Sequence, residues 1–464
     1  MKIILQLFLA LLLSTFLSAK QVEYNLKITE IKEIINGKDM ISYRINNSSP
    51  GPVIRANIGD KLKIILENKT NIDTIIHWHG LMVNNDQDGV AWVTQPIIKS
   101  KTSHTYEIEV KQTGTYWYHA HGLEEAQGIV GAIVFAENEE KPNIQEEVLV
   151  YSGILKEEPK TVLAELTKSN IQDINSHVHG QKQDVVHKPM NMSSNVKHMN
   201  HGEMKHFSDV DYAKHLINNQ ASVLNIKNNS NQIKFRIINA YVDGYLNFIY
   251  SGGDITIVAA DGLPVEPVNV NTLKVAMGET YDVILNIPSK GSYELVSFFM
   301  GGIEYSKVLL GGGELKSLPS YDVTKYEYVS PYKKLITITP SFVGITKSKA
   351  SQYYKLGLKG NHDRYDWKIV ENSKQVESLS LKEGDKVRVK ITNHTMMPHP
   401  MHLHGFFFKV VSLKNNLIKH TYNLEHMESM EIEFTVDKEG KWLFHCHNLF
   451  HMSSGMMIEL VVIK

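Results

Sequence analysis

From Gln21 to the C-terminus, apolar and polar residues alternate in short runs separated by Gly, Asn, Asp and Pro. The stretch Lys61-Leu62-Lys63-Ile64-Ile65-Leu66-Glu67-Asn68 is representative. Alternate residues of a strand share a face, so such runs predict short strands with one face in a core, and their turn spacing predicts β-sandwiches or barrels. Long helical periodicity is scarce, and the expected fold class is all-β. One segment breaks the pattern: Lys2 precedes an unbroken apolar run from Ile3 to Leu13, followed by Ser14, Thr15, Ser18 and Ala19. Residues 1–19 read as a secretory signal peptide whose apolar core is too short to span a membrane. Export without stable membrane insertion is expected.

The alternation itself is repeated. Gly59-Asp60-Lys61-Leu62-Lys63-Ile64-Ile65-Leu66-Glu67-Asn68 recurs as Gly384-Asp385-Lys386-Val387-Arg388-Val389-Lys390-Ile391-Thr392-Asn393, an offset of 325 residues. The same offset carries His77, His79 and Gly80 onto His402, His404 and Gly405, and an offset of 326 carries Gly114, His119 and His121 onto Gly440, His445 and His447. A weaker middle copy, Asn231 to Asn239, has Phe248 and Tyr250 where the outer copies have histidines. Three copies of one fold are expected, the middle one without ligands. Linker-like residues 137–143 and Gly311-Gly312-Gly313 place the domains at 20–140, 141–315 and 316–464.

Composition narrows the function. Lys and Arg number 49 against 50 Asp and Glu, a formal charge of -1, so nothing draws the chain to nucleic acid or an anionic membrane. A single cysteine, Cys446, excludes an intramolecular disulfide, whereas there are 22 histidines.

The repeat generates four His-x-His pairs: His77/His79, His119/His121, His402/His404 and His445/His447. Both members of such a pair project from one side of a strand. One pair alone is as readily a partly buried strand face. Two pairs at matching positions in each of two homologous domains would gather eight imidazoles between them, suiting copper or another imidazole-binding metal. The last domain adds donors: Cys446 stands where the first has Ala120, His399 where it has Thr74, and His451 and Met456 follow the cysteine. A thiolate, two imidazoles and a thioether are the donor set of a blue-copper electron-transfer centre. Metal on the sulfur would also explain an unpaired thiol outside the cytoplasm.

The blocks His77-Trp78-His79-Gly80, Tyr116-Trp117-Tyr118-His119-Ala120-His121, His399-Pro400-Met401-His402-Leu403-His404-Gly405 and His445-Cys446-His447, running on through His451 to Gly455-Met456, resemble those of the multicopper oxidases. The likeness covers essentially the whole mature chain and is nearest to the bacterial periplasmic copper-resistance type, with laccases as wider relatives. Val258-Ala259-Ala260-Asp261-Gly262, Glu279-Thr280-Tyr281-Asp282-Val283 and Asn393-His394-Thr395-Met396-Met397 support it less specifically. The resemblance implies three cupredoxin-like domains, a periplasmic location and four copper ions. His399, Cys446, His451 and Met456 would bind type 1 copper, and His77 and His402 type 2. His79, His119, His121, His404, His445 and His447 would hold the type 3 pair.

Asp88, in an Asp-Gly turn eleven residues after His77, matches the family's cluster-side acid, although such a turn needs no function. Met452 stands where some relatives carry a second acid, which leaves Glu124 or Glu125 as alternative proton carriers. Residues 177–206 hold six histidines and four methionines. Thioethers suit Cu(I) and imidazoles Cu(II), so extra copper is expected there; a polar insertion in the middle domain is the plainer reading. Met396, Met397, Met401, Met427 and Met430 lie on or near the type 1 segments, and Met397 resembles a substrate-copper ligand of some relatives, whereas core packing explains single methionines equally. The expected function is oxidation of Cu(I) to Cu(II) coupled to reduction of O2 to water, by a monomer acting in copper tolerance. The alternatives are a laccase-like phenol or ferrous or manganous oxidase and, from another class, a periplasmic copper buffer.

Overall fold

The structure, a computed structural model, describes residues 20–137, 144–176, 208–221, 223–227, 230–288, 291–299, 305–312, 315–316, 329–345, 348–362 and 364–464. The expected signal segment and the His/Met-rich segment 177–206 lie outside the described residues. Among those described, strands dominate and form six sheets in three pairs, drawn from residues 21–136, 145–316 and 352–463. No described helix is long and apolar enough to cross a membrane.

The three pairs are wired alike. In one sheet of each, an early strand runs parallel to the alternating strand, which then pairs antiparallel with a later one. Gln21–Ile35, Lys61–Asn68 and Ser103–Glu109 do so in the first. Gln145–Leu155, Gln232–Asn239 and Thr280–Asn286 do so in the second, and Gln352–Lys359, Lys386–Asn393 and Ser429–Thr435 in the third. The facing sheets share an order too: Ile76–His79 next to Gly114–Ala120, Leu246–Tyr250 next to Ser292–Phe299, His399–Leu403 next to Gly440–Cys446. This is an all-β molecule of three cupredoxin-like sandwiches.

Sequence alternation becomes burial alternation. Leu62, Ile64 and Leu66, like Val387, Val389 and Ile391, are buried while most residues between them are partly exposed. The middle strand differs, being buried on both faces from Phe235 onward. Its outer face packs on the first sandwich, where Ile238 and Ala240 join Trp117, Val130, Ala132 and Val150 in one apolar cluster. Each alternating strand ends in a fully buried asparagine that braces the loop beyond it. Asn68 Nδ2 donates to Ile72 O at 2.8 Å, Asn239 Nδ2 to Gly244 O at 3.0 Å and Asn393 Nδ2 to Met397 O at 2.7 Å.

One element was not anticipated from the sequence, the 18-residue helix Pro159–Ser176. Val162, Leu163 and Leu166 seat it on the core.

Candidate metal centres

Antiparallel pairing of Ile76–His79 with Gly114–Ala120 sets His77 opposite His119, and pairing of His399–Leu403 with Gly440–Cys446 sets His402 opposite His445. Residues that face each other in a ladder share a side. The first and third sandwiches meet so that their rings interleave: His77 stacks on His404 at 3.9 Å between centroids and His79 on His402 at 3.8 Å. His121 lies 5.2 Å from His404, and His119 lies 5.2 Å from His447. The structure thus brings together all eight histidines of the four pairs, every one buried except the half-buried His121.

What holds each ring from behind decides which nitrogen faces the centre. Nδ1 of His77 donates to the Asp88 carbonyl at 2.7 Å, Nδ1 of His402 to the His420 carbonyl at 2.9 Å and Nδ1 of His445 to the Cys446 carbonyl at 2.9 Å. His119 Nδ1 meets Glu125 Oε2 at 2.9 Å and His404 Nδ1 meets Asp88 Oδ2 at 2.8 Å. Nε2 of His77, His119, His121 and His402 has no partner though buried; in His79 the unpartnered nitrogen is Nδ1. A buried polar atom without a partner is costly. Several of them converging on one space fit a metal that imidazole nitrogen binds. Burial, with neighbouring imidazoles adding to it, holds His77, His79, His121, His402, His404 and His447 well below the usual imidazole range and His445 down to about 4. These rings are neutral at pH 7 and their lone pairs are available.

Asp88 is fully buried at this centre. Burial raises its carboxyl to about 8, against the pull of the Lys438 ammonium. The glycine after it is required: a Cβ on Gly89, at φ +81°, would sit 1.8 Å from the Ile76 carbonyl oxygen.

His445 and His447 point to one side of their strand and Cys446 to the other. There Cys446 Sγ lies 3.7 Å from His399 Nδ1 and 3.8 Å from His451 Nδ1, and the two nitrogens are 3.1 Å apart. Met456 is fully buried, and its backbone bonds to Cys446 and His451. Nε2 of His399 meets Thr395 Oγ1 at 2.7 Å and Nε2 of His451 meets Asp209 Oδ2 at 2.9 Å, so both Nδ1 atoms turn to the sulfur. Burial pushes the thiol above its ordinary range, so metal uptake here would release a proton. Asn448 caps the short helix Leu449–Ser453 that carries His451, accepting from the Phe450 and His451 backbone N–H groups.

Several residues at the two centres had no sequence signal. Asp209 also accepts from Tyr365 at 2.8 Å and pairs with His362 at 3.0 Å; burial raises its carboxyl, but these bonds overcome that and hold it well below the carboxylate range. His420 lies beside His79 and His402. Of the methionines, Met397, Met401 and Met430 are packed in the core, and Met396 and Met427 are exposed. The middle sandwich bears none of the donors, yet it grips both neighbours. Arg236 and Asp282 bond Thr115 at 2.8 and 2.6 Å, on the strand leading to His119. Asp261 and Glu279 pair with buried Lys419 at 3.3 and 2.8 Å.

Multicopper oxidase family models match residues 28–140, 161–306 and 349–464. The chain belongs to the multicopper oxidase family and is a copper-dependent oxidoreductase. It is 26% identical over 573 residues to Copper resistance protein A of Escherichia coli, covering 96% of this chain and 93% of that one. To Multicopper oxidase MmcO of Mycobacterium tuberculosis it is 27% identical over 442 residues, covering 92% and 84%. The solved multicopper oxidase from Campylobacter jejuni, described as a metallo-oxidase, superposes with a TM-score of 0.68 at 21% identity over 96% of this chain and 92% of that one.

Proposed function

We propose that this protein oxidises Cu(I) to Cu(II) at the Cys446 centre and reduces dioxygen at the imidazole centre, as an exported, periplasmic monomer acting in copper tolerance. The carrying observation is that Cys446, with two imidazoles converging on its sulfur, is bonded directly on both sides to histidines of the second centre. Bound copper would supply one-electron oxidation at the first centre and four-electron reduction of O2 to water at the second. His399, Cys446, His451 and Met456 would hold type 1 copper, His77 and His402 type 2, and His79, His119, His121, His404, His445 and His447 the type 3 pair. Asp88, touching both His77 and His404, is the proton carrier of this reading, with Glu125 against His119 as a second acid. Domain limits near 140 and 316 are supported by the first sheet pair ending at Ala136 and the second running from Gln145 to Lys316. The name of the Escherichia coli relative favours copper as substrate; phenol, ferrous or manganous oxidation is the competing reading.

Copper loading tests this. An intense blue absorption that disappears in Cys446→Ser is expected, with oxygen consumed faster during oxidation of Cu(I) than of Fe(II) or a phenol. Copper binding without oxygen uptake would leave a buffer, and higher catalytic efficiency on a phenol would leave a laccase-like enzyme. Deleting residues 177–206 while keeping Ser208 and Asp209 is expected to lower Cu(I) turnover and copper tolerance; unchanged values would end the copper-handling role of that segment.

A further inference from the structure

The hydroxyl of Thr421, fully buried, lies within hydrogen-bonding distance of three imidazole nitrogens: His402 Nδ1 at 3.0 Å, His420 Nδ1 at 3.0 Å and His79 Nε2 at 3.2 Å. A hydroxyl has one hydrogen and two lone pairs, so it can donate to only one of the three and accept from the other two. His402 Nδ1 must carry a hydrogen, because it also bonds the His420 carbonyl at 2.9 Å and a carbonyl only accepts. One lone pair is therefore taken. If the hydroxyl hydrogen went to His79, that ring's proton would sit on Nδ1, the buried, unpartnered nitrogen that the copper-holding reading needs bare. The arrangement that leaves Nδ1 bare has His79 Nε2–H donating to Thr421 and Thr421 donating to His420, whose own hydrogen then falls on Nε2.

Within the imidazole centre, His79 is held by Nε2 with Nδ1 unpartnered, whereas His77, His119 and His402 are held by Nδ1. Thr421 is itself held from the middle sandwich: Asp261 Oδ2 accepts from the backbone N–H groups of His420 and Thr421 at 3.2 and 3.0 Å. We infer that Thr421 is a positioning residue that fixes which ring nitrogen His79 turns to the centre, ties that ring to His402 across the boundary between first and third sandwiches, and is aimed by Asp261. The inference rests on the assignment of His79 and His402 to a copper-holding centre.

Two variants test it. Thr421→Val keeps the shape and removes the hydroxyl; Thr421→Ser keeps the hydroxyl. Nitrogen-15 imidazole spectra of the metal-free protein, with His79→Gln as the assignment control, are expected to show His79 protonated at Nε2 in wild type and Thr421→Ser, and no longer uniquely so in Thr421→Val. In chelator competition, Thr421→Val is expected to hold imidazole-centre copper about 10–100-fold more weakly, the usual effect of losing a partner behind a metal-ligating histidine. Its blue absorption, set by Cys446 on the other side of the strand, is expected to stay at the wild-type value, and Thr421→Ser is expected to recover the affinity. A full wild-type copper complement with Thr421→Val unchanged in tautomer and affinity would overturn this inference alone. Wild-type protein that takes copper only at Cys446 would overturn the two-centre reading together with it.

Discussion

Asn393 and Asn68 are equivalent side chains with unequal reach. Both close a loop: their Oδ1 atoms accept from the backbone N–H and hydroxyl of the residue two further on, Thr395 and Thr70. Thr395 alone then meets a metal-donor candidate, His399 Nε2, at 2.7 Å. Replacing either asparagine by alanine leaves buried groups unpaired at about 1–3 kcal/mol each, so a loss of about 2–4 kcal/mol is expected for both in urea unfolding of the metal-free protein. Only Asn393→Ala is expected to weaken the blue absorption as well, because only there does the loop aim an imidazole at Cys446. The position of each asparagine was legible as the end of a repeated strand. Its role was not, since its bonds close on loop carbonyls that only the fold brings near. Eight histidines were legible because the repeat multiplies a short spacing, and His399, Cys446 and His451 because the last copy departs from the first there; His420 and Asp209 belong to no such spacing and acquire meaning only by packing.

Among the elements, the middle sandwich is the one whose part sequence patterning hid. The segments around Asp261 and Asp282 stood out as family-like, but their partners lie 159 and 167 positions away along the chain. Arg236 joins Asp282 at 2.7 Å and Glu146 at 2.9 Å while reaching Thr115 of the first sandwich. Removing one partner from a buried ion pair costs about 3–5 kcal/mol, whereas replacing the whole group by apolar residues is often neutral. Asp282→Ala is therefore expected near the lower end, since Glu146 still pairs Arg236, and the double variant Arg236→Met with Asp282→Leu is expected to recover most of that loss in equilibrium unfolding. The helix Pro159–Ser176 escaped the sequence for a simpler reason: Val162, Leu163 and Leu166, which seat it, lie in its first half and make too short a pattern to stand out.

For the molecule as a whole, the imidazole centre is a joint between its two ends. Neutral rings with free lone pairs converge there, so any metal that binds the folded chain and not the unfolded one stabilises the joint, by about 2.7 kcal/mol per site at a free concentration one hundred times its Kd. Stripping copper is expected to lower the thermal midpoint, and adding it back to raise the midpoint in step with free copper concentration; a midpoint indifferent to copper would contradict a shared site. The three-fold architecture and the eight paired histidines were readable from the repeat, while the manner in which the first and third sandwiches meet was not, because residues without any shared spacing bring them together.

The 325 positions between His77 and His402 also impose an order of events. Rings from the first sandwich exist early in chain growth, but their counterparts arrive with the last segment, and long-range contacts of this kind form late. No chain cut short before His447 can close the centre. Metal uptake would thereby act as a checkpoint on folding: a chain that holds its full load has been synthesised through Met456 and has folded both its first and its third sandwich.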